Sequence, residues 1–339
     1  MKPQVIIRAD ASATIGWGHV SRTLALGAML QPTFQVSLFS KDLPEGLARW
    51  AQQYDITHRA ITTEEEFVES LQPGVAVIMD GYHFTQADQE RVRAKGTFLV
   101  MLDDIPRQDL SADVVLNTAP GITPADYPQY AAEQLWLGPE YALLHPPYFL
   151  PRPTPYKGTE FPTRWVICFG GSDQLDLTAT FMEWLYPQPE VASIVAIVGG
   201  SYQQYPALVE RGARLGEKVT VHQGLSGSEM ASQFQSAEAA IVSASSLVFE
   251  ALASGPLVLA GHYVPNQRRL YEGFAAQEAI IPLGAIPDLQ PIDFSVLLSQ
   301  LREPAFRQKH LTHARHSLDG KSATRLLEGI GRVLNRSRT

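Results

Sequence analysis

Short runs of apolar residues alternate with amphipathic stretches through the first 145 residues of the chain. Apolar side chains recur at helical spacing over Val20–Leu30, and a more polar helix is predicted over Gln86–Ala94. Six runs are predicted as strands: Gln4–Asp10, Phe34–Phe39, Val75–Asp80, Phe98–Asp103, Val114–Asn117 and Gln134–Gly138. Strands that alternate with helices are typical of βαβ units, so the pattern predicts a mostly parallel sheet.

The same alternation starts again after a proline-rich stretch. Residues 146–163 carry six prolines, Pro146, Pro147, Pro151, Pro153, Pro155 and Pro162. Proline has no N–H to donate, so we expect this stretch to be an irregular linker. The strands predicted beyond it are Arg164–Cys168, Ser193–Val198, Lys218–His222, Ala239–Ser243 and Pro256–Ala260. The helices are Leu177–Leu185, Ser228–Gln235, Leu247–Ala253 and Gln267–Ala276.

The chain is therefore expected to be an α/β protein of two Rossmann-like domains with a cleft between them. Residues 1–145 form the first domain and residues 164–339 the second. The last predicted helix, Ser322–Asn335, could pack on either. Ligands of open α/β sheets bind outside the carboxyl ends of the strands. The chemistry is therefore expected in the strand-to-helix turns.

Composition narrows the function. With 45% apolar and 18% charged residues the chain is globular, and a net charge of −8 disfavours a nucleic-acid partner. The lone cysteine, Cys168, allows no intrachain disulfide, which favours a reducing compartment. The first apolar run is too short for a signal peptide, and no run is long enough to span a membrane. We expect a soluble, cytoplasmic protein, with its oligomeric state left open.

The turn after the first strand contains Gly16 and Gly18 on either side of a tryptophan, and then His19 at the start of a helix. Glycines let a ligand approach the backbone closely, and an imidazole is a general base near neutral pH. His19 is therefore a candidate catalytic base; alternatively, it only satisfies backbone groups. Arg22, one turn later, could pair with Asp10 or approach a phosphate. The glycine spacing does not fit the dinucleotide fingerprint.

In the second domain, small hydroxyl residues end one strand and begin a helix at Ser245, Ser246 and Leu247. Unpaired N–H groups of a first helical turn and the helix dipole suit a diphosphate. Glu250, one turn on, could accept hydrogen bonds from both ribose hydroxyls; alternatively, it is a surface glutamate. Gly171, in a Gly-Gly turn, is a second candidate contact, and Asn266 and Gln267 could complete the pocket. Asp176 or Thr178 could cap the helix after the Gly-Gly turn.

Three further groups of polar residues are candidates for sugar or metal binding. Asp80 and Tyr82 follow a strand of the first domain and are candidate contacts to a sugar, or only a strand-end turn. Asp103-Asp104 lacks the spaced D-x-D pattern of metal-dependent nucleotide-sugar enzymes. The three histidines His310, His313 and His316 could offer nitrogen ligands to a metal, but no acidic ligand lies nearby in sequence. We therefore predict no metal and no cofactor.

Together these motifs resemble the UDP-2,4-diacetamido-2,4,6-trideoxy-β-L-altropyranose hydrolases of pseudaminic acid biosynthesis. The resemblance rests on Ile15-Gly-Trp-Gly-His-Val-Ser-Arg, Asp80-Gly-Tyr, Leu102-Asp-Asp, Tyr141-Ala-Leu-Leu, Phe169-Gly-Gly-Ser-Asp and Ser243-Ala-Ser-Ser-Leu-Val-Phe-Glu-Ala-Leu. It implies the GT-B-like fold of nucleotide-sugar glycosyltransferases. Phe249, where the family has asparagine, and His145, in place of a charged run, depart from the pattern.

By this resemblance His19 is the catalytic histidine, Tyr82 belongs to the sugar pocket and Glu250 binds the nucleotide. The implied reaction is hydrolysis of a UDP-sugar, with water as the acceptor and inversion at the anomeric carbon. Two alternatives remain open: a glycosyltransferase of the same fold that uses a UDP-sugar donor, and a non-catalytic nucleotide-sugar binding protein.

Overall fold

The computed structural model describes residues 2–12, 16–149 and 156–336, and the chain divides into two compact units. Unit 1 comprises residues 1–146 and 319–339, and unit 2 comprises residues 147–318. Pro151, Pro153 and Pro155 of the predicted linker lie outside the described residues.

Unit 1 is built on a seven-stranded parallel sheet with the order β3-β2-β1-β4-β5-β6-β7 in the described part of the chain. Its elements are β1 (Gln4–Ala9), α1 (Gly18–Leu30), β2 (Gln35–Ser40), α2 (Glu45–Gln53), β3 (Thr57–Ala60), α3 (Glu64–Ser70), β4 (Ala76–Asp80), α4 (Gln86–Arg93), β5 (Phe98–Leu102), β6 (Val114–Asn117) and β7 (Leu135–Leu137). The inner strands are buried on both faces, as parallel strands covered by helices must be.

Unit 2 repeats the design with a six-stranded parallel sheet of order β10-β9-β8-β11-β12-β13, again over the described residues. Its elements are β8 (Arg164–Cys168), α5 (Leu177–Leu185), β9 (Ser193–Val198), α6 (Tyr205–Leu215), β10 (Val219–Gln223), α7 (Gly227–Ser236), β11 (Ala239–Ser243), α8 (Ser246–Ser254), β12 (Leu257–His262), α9 (Pro265–Ala276), β13 (Ile281–Ala285), α10 (Pro291–Gln300) and α11 (Pro304–Ser317).

The last helix, α12 (Ser322–Arg336), returns to unit 1 and packs against α1. It buries Leu326, Ile330 and Leu334, which are spaced at one face of the helix. Its Gly329 lies against Trp136, where an added Cβ would come within 2.6 Å of the indole ring. Close helix packing therefore explains this glycine.

The described end of the predicted linker, residues 156–163, is packed against unit 2. Tyr156 is buried, and Arg307 of α11 donates hydrogen bonds to the carbonyl oxygens of Gly158 at 3.0 Å and Thr159 at 2.7 Å. The buried guanidinium thus supplies the donors that an irregular, proline-containing backbone cannot find in a sheet. This stretch belongs to unit 2.

Candidate functional site

Each sheet reverses its strand order at one point, and that point places the loops of interest. In unit 1 the reversal lies between β1 and β4, which pair with Ala9 opposite Asp80. The chain leaves β1 to enter α1 and leaves β4 through Gly81, so both loops open at the same carboxyl edge. Such switch points are where open α/β sheets bind ligands.

His19 and Asp80 meet at this edge of unit 1. The Nδ1 atom of His19 lies 2.7 Å from Oδ1 of Asp80, and both side chains are largely buried. Burial acts to raise the pKa of Asp80, but the charge of Arg22 and the hydrogen bonds from Arg22 and His19 outweigh it and hold the pKa well below its usual range. An ionised Asp80 can only accept, so Nδ1 of His19 carries the donated proton. The lone pair of a neutral His19 then lies on Nε2, as a general base requires.

Arg22 pairs with Asp80 and Asp104 and not with Asp10, so the expected partner was wrong. Its Nε donates to Asp80 at 2.5 Å, and Nη1 donates to Asp104 Oδ1 at 2.6 Å. One helical turn separates Arg22 from His19, which lets both reach the buried carboxylate at the end of β4. Arg22 therefore fixes the carboxylate that orients His19.

Tyr82 borders the same cluster. Its hydroxyl donates to Asp104 Oδ2 at 2.8 Å, and its ring meets that of His19 edge-on with 4.8 Å between centroids. With 45% of its surface exposed, Tyr82 presents an aromatic face beside the histidine. Gly16 and Gly18 border α1, and an added Cβ at either would meet no described atom within 4 Å. The backbone there is open to a ligand.

Sequence reasoning missed a second histidine–aspartate contact at this edge. Nε2 of His83 lies 3.2 Å from Asp10 Oδ2, and buried Arg8 donates to both oxygens of Asp10. Arg8 also donates to both oxygens of Glu64, so the carboxylates of Asp10 and Glu64 pair with the same guanidinium. Each histidine thus contacts the aspartate at the end of the other strand: His19 contacts Asp80 of β4, and His83 contacts Asp10 after β1. The pairing of β1 with β4 brings these residues together, and the sequence alone does not show it.

Asp103 takes no part in this cluster, although Asp104 does. It is buried and accepts a hydrogen bond from the Tyr127 hydroxyl at 2.8 Å. Burial raises the pKa of Asp103 to about 6, and that hydrogen bond offsets part of the shift. It is a structural carboxyl on the adjoining strand end.

In unit 2 the strand order reverses between β8 and β11. The loop after β8 contains Gly170, with φ of +95°, and Gly171. The backbone of Gly171 lies so close to Gly199 that a Cβ added at Gly199 would be 2.4 Å from the Cα of Gly171. Gly199 donates to the Gly170 carbonyl at 3.1 Å. The glycines thus serve close loop packing beside the start of α8.

The start of α8 is capped by a neutral serine side chain. Ser245 is the N-cap: its Oγ accepts from the N–H of Leu247 at 3.4 Å and lies 3.0 Å from the hydroxyl oxygen of Ser243. No carboxylate of the described residues caps this helix. The first-turn N–H groups of Ser246 and Leu247 therefore stand at the positive end of the dipole with only a weak neutral cap.

The start of α5 is closed by contrast. The buried carboxylate of Asp173 accepts from the N–H of Leu177 at 2.9 Å and of Thr178 at 2.8 Å. The expectation that Asp176 or Thr178 caps this helix was wrong: the Asp176 side chain makes no cap and pairs with Arg211 instead. The N–H groups of Leu177 and Thr178 are therefore occupied by the protein's own carboxylate and are not available to an anion.

Glu250 is no surface glutamate. Only 8% of the residue is exposed, and its Oε2 accepts a hydrogen bond from the Tyr148 hydroxyl at 2.7 Å. Burial raises the pKa of Glu250 to about 7, against the opposing effect of that hydrogen bond. Tyr148 was not predicted, and its 102-residue separation from Glu250 leaves no local signal.

Asn266 and Gln267 lie in the first turn of α9. Asn266 is exposed there, whereas Gln267 is buried and its Oε1 accepts from the N–H of Tyr263 at 3.1 Å. Tyr263 in turn donates to the Phe169 carbonyl at 2.9 Å. Gln267 thus braces the loop, and Asn266 faces outward.

The three histidines of α11 do not converge. His310 and His316 each contact a backbone carbonyl, those of Glu278 and Thr312, while His313 lies 3.4 Å from the Glu278 carboxylate. Among the described residues, ligand atoms cluster only at Asp10, Glu64 and His83. That cluster is already paired with Arg8 and Lys41.

Comparisons with known proteins place the fold. No protein-family model matches the chain. An uncharacterized protein of Methanocaldococcus jannaschii is 23% identical over 285 residues, which are 80% of this chain. The chain spans only 58% of that relative's length. No described helix is long and apolar enough to cross a membrane.

Solved structures match over nearly the whole chain. Acinetobacter baumannii MurG has a TM-score of 0.65 at 16% identity, covering 98% of this chain and 100% of that one. S. aureus MnaA, solved with UDP, has a TM-score of 0.67 at 9% identity, covering 99% and 97%. Phytolacca americana UGT2, complexed with UDP-2-fluoro-glucose and pterostilbene, has a TM-score of 0.64 at 10% identity, covering 98% and 100%. The expected fold is confirmed: the chain is a GT-B-like α/β protein with two Rossmann-like units.

Proposed function

We propose that this protein is an enzyme that acts on a UDP-sugar, with His19 of unit 1 as the general base and unit 2 as the nucleotide-binding unit. The observation that carries the proposal is the 2.7 Å contact between His19 Nδ1 and Asp80. That contact determines which ring nitrogen can take a proton. A non-catalytic binding protein has no need of a histidine fixed in one tautomer by a buried ion pair.

The start of α8 supports the nucleotide assignment. Ser245, Ser246 and Leu247 offer N–H groups and hydroxyls to a diphosphate, and Glu250 stands one turn farther along for the ribose. The solved structures that resemble this chain include two with UDP or a UDP-sugar bound. UDP is therefore the nucleotide that we propose.

The proposed step balances with the groups present. The oxygen of a nucleophile O–H attacks the anomeric carbon while His19 Nε2 takes its proton. The bond from that carbon to the diphosphate oxygen breaks, and UDP leaves with the electron pair. The N–H groups at the start of α8 stabilise the charge that develops on the diphosphate. One displacement of this kind inverts the anomeric centre.

We propose further that the nucleophile is water and the substrate is UDP-2,4-diacetamido-2,4,6-trideoxy-β-L-altropyranose. The support is the resemblance carried by the motifs around His19, Tyr82 and Glu250. A glycosyltransferase is the second candidate, because MurG and UGT2 share the fold. The two candidates differ only in the hydroxyl that His19 deprotonates.

An acceptor-free assay separates them. We expect purified protein to release UDP from this UDP-sugar in EDTA without any acceptor, and fresh product to show the inverted anomer by NMR. The diphosphate charge is met by α8, so added Mg²⁺ should not be required. UDP release that starts only when a sugar or lipid acceptor is added would reject hydrolysis and favour the transferase. Loss of activity in EDTA, restored by Mg²⁺ or Mn²⁺, would reject the metal-free step.

A further inference from the structure

Glu250 is a buried carboxylate with a single hydrogen-bond donor among the described residues. The hydrogen bond from Tyr148 reaches Oε2, while Oε1 receives none from the described residues. Taking a carboxylate out of water is costly unless donors replace the lost hydration. The Tyr148 hydroxyl is thus the donor on which the ionised form of Glu250 depends before any ligand arrives.

Tyr148 is well placed to act as a fixed donor. It is 5% exposed and lies in the single turn Pro146–Phe149, ahead of β8. The carbonyl of the preceding residue, Pro147, accepts from Gln235 Nε2 at 3.2 Å, and Gln235 belongs to α7, which packs on α8. The turn is therefore tied to the helix pair that contains Glu250.

Hydrogen-bond capacity explains what this contact can do. An ionised carboxylate can accept about four hydrogen bonds, and Tyr148 uses one of them. Binding one oxygen restricts the rotation of a side chain with three torsions, so the other lone pairs keep a set direction. A ribose offers two neighbouring hydroxyls, which a carboxylate held in one orientation can accept together.

We infer that Tyr148 is a positioning residue of the nucleotide site: its hydroxyl orients Glu250 to receive the ribose hydroxyls of UDP. The inference rests on the proposed nucleotide site at α8. It assigns a role to the proline-rich segment, which sequence reasoning treated only as a linker. The residue acts through Glu250 and does not itself touch the reacting atoms.

The test compares UDP with 2′-deoxy-UDP by calorimetry on the full chain. We expect the wild type to lose about tenfold in affinity when the 2′-hydroxyl is removed, as for a hydrogen bond to a charged group. Tyr148→Phe should cut that ratio to about threefold or less, and Glu250→Gln should nearly abolish it. In the double variant Tyr148→Phe should have no further effect, since its role passes through Glu250.

Tyr156→Phe is the matched control, because Tyr156 is another buried tyrosine of unit 2 whose hydroxyl donates to a carbonyl, that of Glu160. It should keep the wild-type ratio. A merely structural role for Tyr148 would lower the affinity for both ligands equally and leave the ratio intact.

The outcomes are distinguishable. A wild-type ratio in Tyr148→Phe, with the ratio lost in Glu250→Gln, would overturn the role of Tyr148 and leave the ribose contact standing. A wild-type ratio in Glu250→Gln would overturn the ribose contact and this inference together. Failure of the wild type to bind UDP at all would reject the proposed nucleotide site itself.

Discussion

Asp80 and Glu250 are both buried carboxylates near the carboxyl edges of their sheets, yet their surroundings shift their pKa values in opposite directions. Asp80 is surrounded by Arg22 and His19, and its pKa lies well below the usual range despite burial. Among the residues that the structure describes, Glu250 has one donor, the neutral hydroxyl of Tyr148, and burial raises the pKa of Glu250 to about 7. Three hydrogen bonds from His19 and Arg22 satisfy the Asp80 carboxylate, whereas the described part of the chain gives Glu250 only one.

Under the proposed function, this difference corresponds to two tasks. A base must have its proton in the right place before substrate arrives, so unit 1 ties His19, Asp80 and Arg22 together in advance. A nucleotide-binding site must keep capacity for its ligand, and in unit 2 the described residues leave N–H groups at α8 and lone pairs on Glu250 for the proposed UDP. The contrast recurs inside unit 2, where Asp173 closes α5 and Ser245 leaves α8 open.

The largest expected effect comes from removing the prepared base. His19→Ala should lower kcat for UDP release by roughly 10²–10⁴-fold, the range for a positioned proton-transfer group. UDP affinity should stay near that of the wild type, since α8 and Glu250 are intact. Steady-state kinetics and calorimetry on the same preparation check both halves. Full hydrolysis by the variant would remove His19 from the mechanism.

A smaller loss is expected when the histidine stays but its partner changes. Asp80→Asn puts an amide against Nδ1, which can favour the wrong tautomer, and kcat should fall roughly 10²-fold. Arg22 would keep its ion pair with Asp104 but lose the buried carboxylate of Asp80, so the melting temperature should also fall. The matched control is Asp103→Asn on the adjoining strand end. Equal kcat losses in both variants would show that any buried carboxyl here matters only for folding.

Glu250 allows the comparison to be tested by pH. Folding raises the pKa of Glu250 from about 4.5 to about 7. Between these two pH values the folded state therefore binds more protons than the unfolded state. The contribution of Glu250 to the free energy of unfolding is therefore greatest below pH 4.5. It declines as pH rises to about 7, by roughly 3 kcal/mol at most. Glu250→Gln should remove this decline in ligand-free protein.

Melting curves of the wild type and Glu250→Gln from pH 5 to 8 measure this difference. The melting temperature of Glu250→Gln should increase relative to that of the wild type as pH rises. A gap that stays constant with pH would mean that Glu250 is ionised throughout, and the contrast with Asp80 would disappear.

The smallest effects concern the two helix starts. Asp173→Ala removes a carboxylate that accepts two N–H groups and should cost roughly 1–2 kcal/mol of stability, with UDP affinity unchanged. Ser245→Ala should cost less stability, because its cap is long at 3.4 Å, but should weaken UDP binding. Thermal melting and calorimetry score both variants. Tighter UDP binding by Asp173→Ala, with no change in Ser245→Ala, would assign the anion to α5, because removing the carboxylate frees the N–H groups of Leu177 and Thr178.

Several parts of this picture could be read from the sequence. The buried strands that carry both sheets were predicted within a few residues, because a parallel strand covered on both faces needs an unbroken apolar run. His19, Asp80 and Tyr82 were singled out because strand-to-helix turns are recognisable locally. Edge elements such as β3 were missed, since its residues are all exposed and leave no apolar pattern.

The sequence by itself determined the two α/β units, the glycine turn before His19 and the open start of α8, because each depends on residues close together in the chain. Only the tertiary structure decided the partners. Arg22 took Asp80 and Asp104 in place of Asp10, His83 met Asp10, Tyr148 met Glu250, and α12 returned to unit 1. Charges and hydroxyls act at a few ångströms in space, and strand order, not chain order, sets which ones come within that distance.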